Sequence, residues 1–158
     1  MPKVFASPEL GVDYLSGTKA GSLKEGAFDP TFGTNHKFYG FMDYFYVGNA
    51  HAQAGRTAGL IDIYLNTKIK TGTKSMVLFN LHQFNAPVDV YFSTTKLSSS
   101  FGQEADLIYN LNLYPGVNFK LGYSQLFSTK TLEAVKGTIH KGVNQWAWSM
   151  ITFSPTFL

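Results

Sequence analysis

Between Gly102 and Tyr114 the chain changes character at almost every step. Ala105, Leu107, Tyr109, Leu111 and Leu113 fall on one parity, and Glu104, Asp106, Asn110 and Asn112 on the other, with Ile108 the exception. A period of two places neighbouring side chains on opposite faces of an extended strand, so this stretch must present one apolar and one wet face. The pattern recurs at Pro8 to Tyr14, where Leu10, Val12 and Tyr14 oppose Glu9, Gly11 and Asp13. It recurs again at Leu60 to Lys70 (Ile61, Ile63, Leu65 and Ile69 against Asp62, Asn66, Lys68 and Lys70), at Ser75 to Phe84 (Val77, Phe79 and Leu81 against Asn80 and His82) and at Val117 to Phe127 (Val117, Phe119, Leu121 and Tyr123 against Asn118, Lys120, Gly122 and Ser124). A last strand runs from Gln145 to Leu158 without a clear phase, and Val88 to Phe92 fits a short extra strand.

The connections between these strands differ in a regular way. They are long (17–58), tight (Thr71-Gly72-Thr73), long (85–100), tight (Pro115-Gly116) and long (128–143). In an antiparallel meander alternate connections share an end, so every long loop falls on one side and both tight turns on the other. Outer-membrane barrels have that asymmetry, whereas a soluble lipocalin-like barrel has short hairpins at both ends. The expected fold is therefore all-β, an antiparallel up-and-down transmembrane β-barrel. Residues 1–158 form a single partial domain of about six strands, with long outer loops and tight periplasmic turns. Six strands are too few to close, because single-chain barrels begin at about eight and an open edge in lipid leaves backbone groups unpaired at several kcal/mol each. The chain is expected to be the C-terminal part of a longer barrel, with closure by several copies as the alternative.

Composition agrees with an apolar outer surface built from strands. Aromatics reach 16% while charged residues are 15%, below the roughly 25% usual for soluble domains. No run approaches the roughly 18 to 20 continuous apolar residues of a membrane-crossing helix. The opening Met1-Pro2-Lys3-Val4-Phe5-Ala6 lacks the basic and apolar regions of a secretory signal, as expected if part of an exported gene product is missing. There is no cysteine, hence no disulfide frame and no thiolate metal site. The net charge of +3 comes from residues scattered along the chain, and no basic run marks a nucleic-acid surface.

The long connection 17–58 holds the most unusual stretch, Phe28 to Phe45, which gathers Phe28, Phe32, Phe38, Tyr39, Phe41, Tyr44 and Phe45 around Pro30, Gly33 and Gly40. Flexible linkers are poor in large rings, so a loop this aromatic is expected to fold inward and constrict a cavity. Its polar members are Asp29, Asn35, His36, Lys37 and Asp43, of which Lys37 and Asp43 are expected to present charge to a solute. The wet parity of the strands adds the other expected channel-lining residues: Asp62, Asn66, Lys68, Asn80, His82, Glu104, Asp106, Asn110 and Lys120.

Gly33-Thr34-Asn35-His36-Lys37-Phe38-Tyr39-Gly40-Phe41-Met42-Asp43-Tyr44-Phe45, followed by Gly59-Leu60-Ile61-Asp62-Ile63-Tyr64-Leu65, resembles the alginate-export family of outer-membrane porins. Phe101 to Leu107, Gly122-Tyr123-Ser124 and the ending Pro155-Thr156-Phe157-Leu158 fit the same pattern, so the resemblance spans essentially the whole chain. It implies a Gram-negative outer-membrane barrel of many more strands that passes a hydrophilic solute, a polysaccharide such as alginate being the family's own. Its implied partners are outer-membrane lipid, the solute and the barrel-assembly machinery, which would read the aromatic Phe157. An alginate lumen should be basic, yet the wet parity carries Glu9, Asp13, Asp62, Glu104 and Asp106 against Lys68, Lys70 and Lys120, and the one arginine, Arg56, lies in a loop. Channel function carries over on this reading; the solute does not.

No catalytic or cofactor chemistry is expected. His36, His51, His82 and His140 have no paired ligand spacing. Glu104 and Asp106 read as hydrated lumen carboxylates beside a lysine such as Lys120, without the desolvation an acid/base pair needs. Gly55-Arg56-Thr57-Ala58-Gly59 lacks the Gly-Lys-Ser/Thr end of a phosphate loop, and no Gly-x-Ser-x-Gly elbow occurs. Trp146, Trp148, Tyr109, Tyr114 and Tyr123 are expected to form interfacial girdles rather than a sugar-stacking platform. The expectation is a passive channel with no cofactor and no metal; the competing one is a soluble β-barrel that binds an apolar ligand and keeps Leu107, Leu111 and Leu121 in its core.

Overall fold

The computed structural model describes residues 5–28, 38–45, 52–53, 56–136 and 141–154. In chain order its strands are β1 (Phe5–Leu15), a minor hairpin of β2 (Ala52–Gln53) and β3 (Arg56–Thr57), β4 (Leu60–Lys70), β5 (Ser75–Asn85), a second minor hairpin of β6 (Tyr91–Phe92) and β7 (Thr95–Lys96), β8 (Ser100–Tyr114), β9 (Val117–Ser128) and β10 (Asn144–Phe153). A helix, α1 (Lys130–Lys136), lies between the last two. The main sheet has six antiparallel strands in the order β1-β4-β5-β8-β9-β10, each beside its predecessor in the meander. β1 and β10 are its edges and do not pair with one another.

The strands form where the period-two pattern places them, and the register shows why. Across the sheet Pro8, Thr67, Phe79, Leu107, Tyr123 and Ala147 stand in one row, and Ala6, Ile69, Val77, Tyr109, Leu121 and Ser149 in the row two residues nearer the tight turns. Directly opposed residues share a face, so one face is uncharged over these rows. This apolar face is open: Leu10 is 78% exposed, Leu107 49% and Leu121 51%. The arrangement inverts that of a water-soluble sandwich, in which such a face would be the core.

The hydrophobic core sits at the loop end of the opposite, polar face. Leu15, Leu60, Phe84, Phe101 and Leu126 from the sheet meet Phe45, Ala58, Ala86, Val90 and the helix residue Leu132. Phe45 packs between Phe84, at 4.4 Å between ring centroids, and Phe101, at 5.5 Å. The long connections thus fold back as a roof over one end of the sheet. Each fully buried Leu or Phe contributes about 1.5–3 kcal/mol, so apolar burial, not any single hydrogen bond, holds the roof down.

Several boundaries and elements differ from the sequence expectation. β1 begins at Phe5, and β10 is seen from Asn144 to Phe153, with Pro155 to Leu158 outside the described residues. The expected strand at Val88 to Phe92 is reduced to Tyr91–Phe92 in the hairpin β6–β7, because Val90 instead turns into the core at 0% exposure and its carbonyl accepts from the Leu97 amide. α1 replaces irregular loop: Thr129 Oγ1 accepts from the Leu132 amide and caps it, and Leu132 docks into the roof.

Burial at the end of α1 pushes the Lys136 ammonium down to about 8. The unfolded chain keeps that proton up to its ordinary 10.5, so the unfolded state binds more protons between these values and stability rises with pH across the window. Lys136→Met is expected to remove this rise and to raise the melting temperature at neutral pH. Thermal unfolding of both proteins at stepped pH between 8 and 10.5 measures it.

Candidate functional site

The polar face is built by the same register. From the loop end toward the turns its rows are Asp13–Asp62–Phe84–Gly102–Ser128, then Gly11–Tyr64–His82–Glu104–Leu126–Asn144, then Glu9–Asn66–Asn80–Asp106–Ser124–Trp146. Ser7–Lys68–Leu78–Ile108–Gly122–Trp148 and Phe5–Lys70–Met76–Asn110–Lys120–Met150 follow. All nine strand residues expected to line a channel, Asp62, Asn66, Lys68, Asn80, His82, Glu104, Asp106, Asn110 and Lys120, stand on this one face. Ile108, the exception to the alternation, stands among them and is buried.

The rows sort charge by height. Asp13, Asp62, Glu104, Glu9 and Asp106 occupy the three rows nearest the loops, and Lys68, Lys70 and Lys120 the two nearest the turns. A count of the wet parity gives mixed sign, whereas the register gives an acidic end and a basic end.

The loop residues 38–45 cover the acidic end. The Met42 amide donates to Glu104 Oε1 at 2.9 Å, and the Phe41 amide faces both Glu104 and Asp106. Backbone amides converging on a carboxylate form a cradle that replaces lost water. Three residues of this stretch hold positive φ: Tyr39 at 62°, Gly40 at 82° and Asp43 at 56°. Gly40 has a second reason to lack a side chain, since a Cβ there would stand 2.5 Å from Glu104 Oε1.

Beneath this cover, Asp62, Glu104 and Asp106 are each 1% exposed. His82 stands between two of them, with Nδ1 2.9 Å from Asp62 Oδ2 and Nε2 3.8 Å from Asp106 Oδ2. A carboxylate only accepts, so His82 Nδ1 carries the proton toward Asp62. Burial corrects the expectation of hydrated lumen carboxylates beside Lys120. Lys120 pairs across to Asn110, two rows away from Asp106, and the loop excludes water from the acids. Asp43 lies in the covering loop, half-buried; Lys37 falls outside the described residues, as do His36, His51, His140 and Phe157. Among the described residues no three His, Asp or Glu side chains stand at metal-ligating spacing.

The two tryptophans require a second correction. Trp146 pairs with Ser124 and Trp148 with Gly122, which places both rings on the polar face and not in an outer girdle. Trp148 lies flat over Gly122, where a Cβ would come 2.3 Å from its ring, and Tyr64 covers Gly11 in the same manner. Phe41 of the loop stacks on Trp148 with centroids 6.2 Å apart, and Trp146 stands 5.9 Å from Trp148. Tyr109 and Tyr123 do lie on the apolar face, where Tyr123 hydroxyl donates to Gln125 or Gln145 at 3.0 Å. The sequence of β10 is apolar on both parities, which hides its phase until β9 fixes it.

The chain matches no protein-family model, no curated protein and no solved structure.

Gly40→Ala is expected to displace the loop tip, because a methyl meets the Glu104 carboxylate and a left-handed backbone costs a non-glycine residue about 1–2 kcal/mol. Chymotrypsin cleavage at Tyr39 or Phe41 should quicken several-fold while Phe45 keeps the base of the loop docked. Unchanged cleavage would mean that Glu104 does not hold the tip.

Proposed function

We propose that this chain forms part of the wall of an outer-membrane β-barrel channel that passes a hydrophilic solute by diffusion, with residues 38–45 as an inward constriction. One observation carries the reading. The uncharged face of the sheet is exposed, while the loop end of the charged face, with Asp62, Glu104 and Asp106, is covered by chain that folds back over it. A soluble binder would place Leu107 and Leu121 inside, and their exposure favours the channel.

The dimensions support it. On β8 the apolar face runs from Ala105 to Leu113, about 26 Å along the strand at ~3.3 Å per residue and about 20 Å along the membrane normal for a tilt of ~40°, close to the apolar band of known barrels. Gln83 and Gln103, hydrogen-bonded at 2.9 Å, and the glutamines around Tyr123 bound this band on the loop side, as headgroup-level residues should. The free edges of β1 and β10 require further strands to close the wall, from the same polypeptide or from other copies. The Gram-negative outer membrane, lipid contact and the assembly machinery as partners follow from this reading together with the resemblance to alginate-export porins. For an anionic polysaccharide such as alginate, the favourable part of the wall is the turn end, with Lys68, Lys70 and Lys120; at the acidic end Asp62, Glu104 and Asp106 are buried beneath the loop. No catalytic step is assigned.

Removing residues 32–41 from the channel-forming protein should raise single-channel conductance in planar bilayers, since the deleted segment includes Gly40 and Phe41 over the polar face. An unchanged conductance would overturn the constriction.

A further inference from the structure

Glu104 and Asp106 project from one strand, two residues apart, on the face covered by the loop tip. Glu104 Oε2 and both carboxylate oxygens of Asp106 have no hydrogen-bond partner among the described residues, although each side chain is 1% exposed. The nearest basic group among the described residues, His82, is committed through Nδ1 to Asp62, and its Nε2 stays 3.8 Å from Asp106, beyond hydrogen-bond length. The lysines of this face begin one row farther toward the turns, with Lys68. Among the described residues the carboxylates Asp13, Asp62, Glu104 and Asp106 of these rows have one imidazole beside them, His82, which stands against Asp62 and Asp106. An ionised carboxylate buried without a partner costs several kcal/mol, so these oxygens call for a shared proton or for a positive group beyond those of the described residues.

We propose that the Glu104–Asp106 pair binds a hard divalent cation of the calcium class, which pins the loop tip over the acidic end of the wall. Two carboxylates offer up to four oxygens, and Ser124, the cross-strand neighbour of Asp106, adds a hydroxyl. Calcium accepts such mixed oxygen sets, fills the remaining positions with water and tolerates irregular geometry, whereas softer metals favour nitrogen or sulfur ligands, of which the described residues offer only His82 Nε2 nearby. The ion and the loop act together: the Met42 amide holds Glu104 Oε1, leaving Oε2 without a hydrogen bond of its own. The site rests on the roofed sheet and not on conduction, so the channel reading and the cation site fail separately.

Calorimetric titration of the purified, EDTA-treated chain in detergent with calcium chloride, against sodium chloride of equal ionic strength, tests the site. One saturable calcium event is expected, weakened at least about tenfold in both Glu104→Gln and Asp106→Asn, which keep the side-chain shape. Slower chymotrypsin cleavage at the loop tip of the wild-type chain in calcium should accompany it. No saturable calcium binding by the wild-type chain would overturn the proposal and leave a carboxyl pair that shares a proton. Binding of equal strength in wild type and both variants would overturn it as well, by placing the ion elsewhere.

Discussion

The cross-strand register is the constraint from which the other features follow. Because β4, β5, β8 and β9 pair without a slip through their middles, every charged strand residue from Asp62 to Lys120 faces one way and every row behind it is uncharged. A one-residue shift of any strand would send its lysines and carboxylates to the apolar face. The two irregularities in register, at Phe84/Asn85 and at Asn112/Tyr114, occur only at the sheet's ends, where the chain leaves for a loop or a turn.

That register also decides where the loops can settle. The uncharged face offers the long connections few hydrogen-bonding partners, whereas the polar face offers Glu104 to the Met42 amide, Phe84 and Phe101 to Phe45, and, one row beyond the acids, Trp148 to Phe41. Apolar burial around Phe45 supplies most of the holding energy. The carboxylate contact and the positive φ at Tyr39, Gly40 and Asp43 fix where the tip lies. The consequence is that Asp62, Glu104 and Asp106 are buried beneath the loop while Lys68 and Lys70 stay exposed.

Much of the sheet is legible in the sequence, because a half-buried strand writes its two faces into alternate residues. Leu60 to Lys70 is placed to the residue, and the alternation of long and tight connections gives the meander order. β10 is legible as a strand but not in phase, since Trp146, Trp148 and Met150 on one parity oppose Ala147 and Ile151 on the other. The short elements are missed for want of length: seven residues of α1 give two turns, signalled only by the capping Thr129 and the spacing of Leu132 and Val135. The site is half legible. Its residues and their shared face are read from parity, but the burial of Glu104 and Asp106 comes from a loop 62 residues earlier in the chain, and no local pattern carries that.

The central claim is that the exposed apolar face meets lipid and the charged face meets water. Single cysteines at Leu111 and Leu121, and at Asn110 and Lys120, in protein reconstituted in bilayers test it most directly, since the chain has no cysteine of its own. The leucine positions should react with a lipid-soluble maleimide and resist a charged one, while Asn110 and Lys120 behave in the opposite way. Equal behaviour at the neighbouring positions Lys120 and Leu121 would contradict a wall between lipid and water.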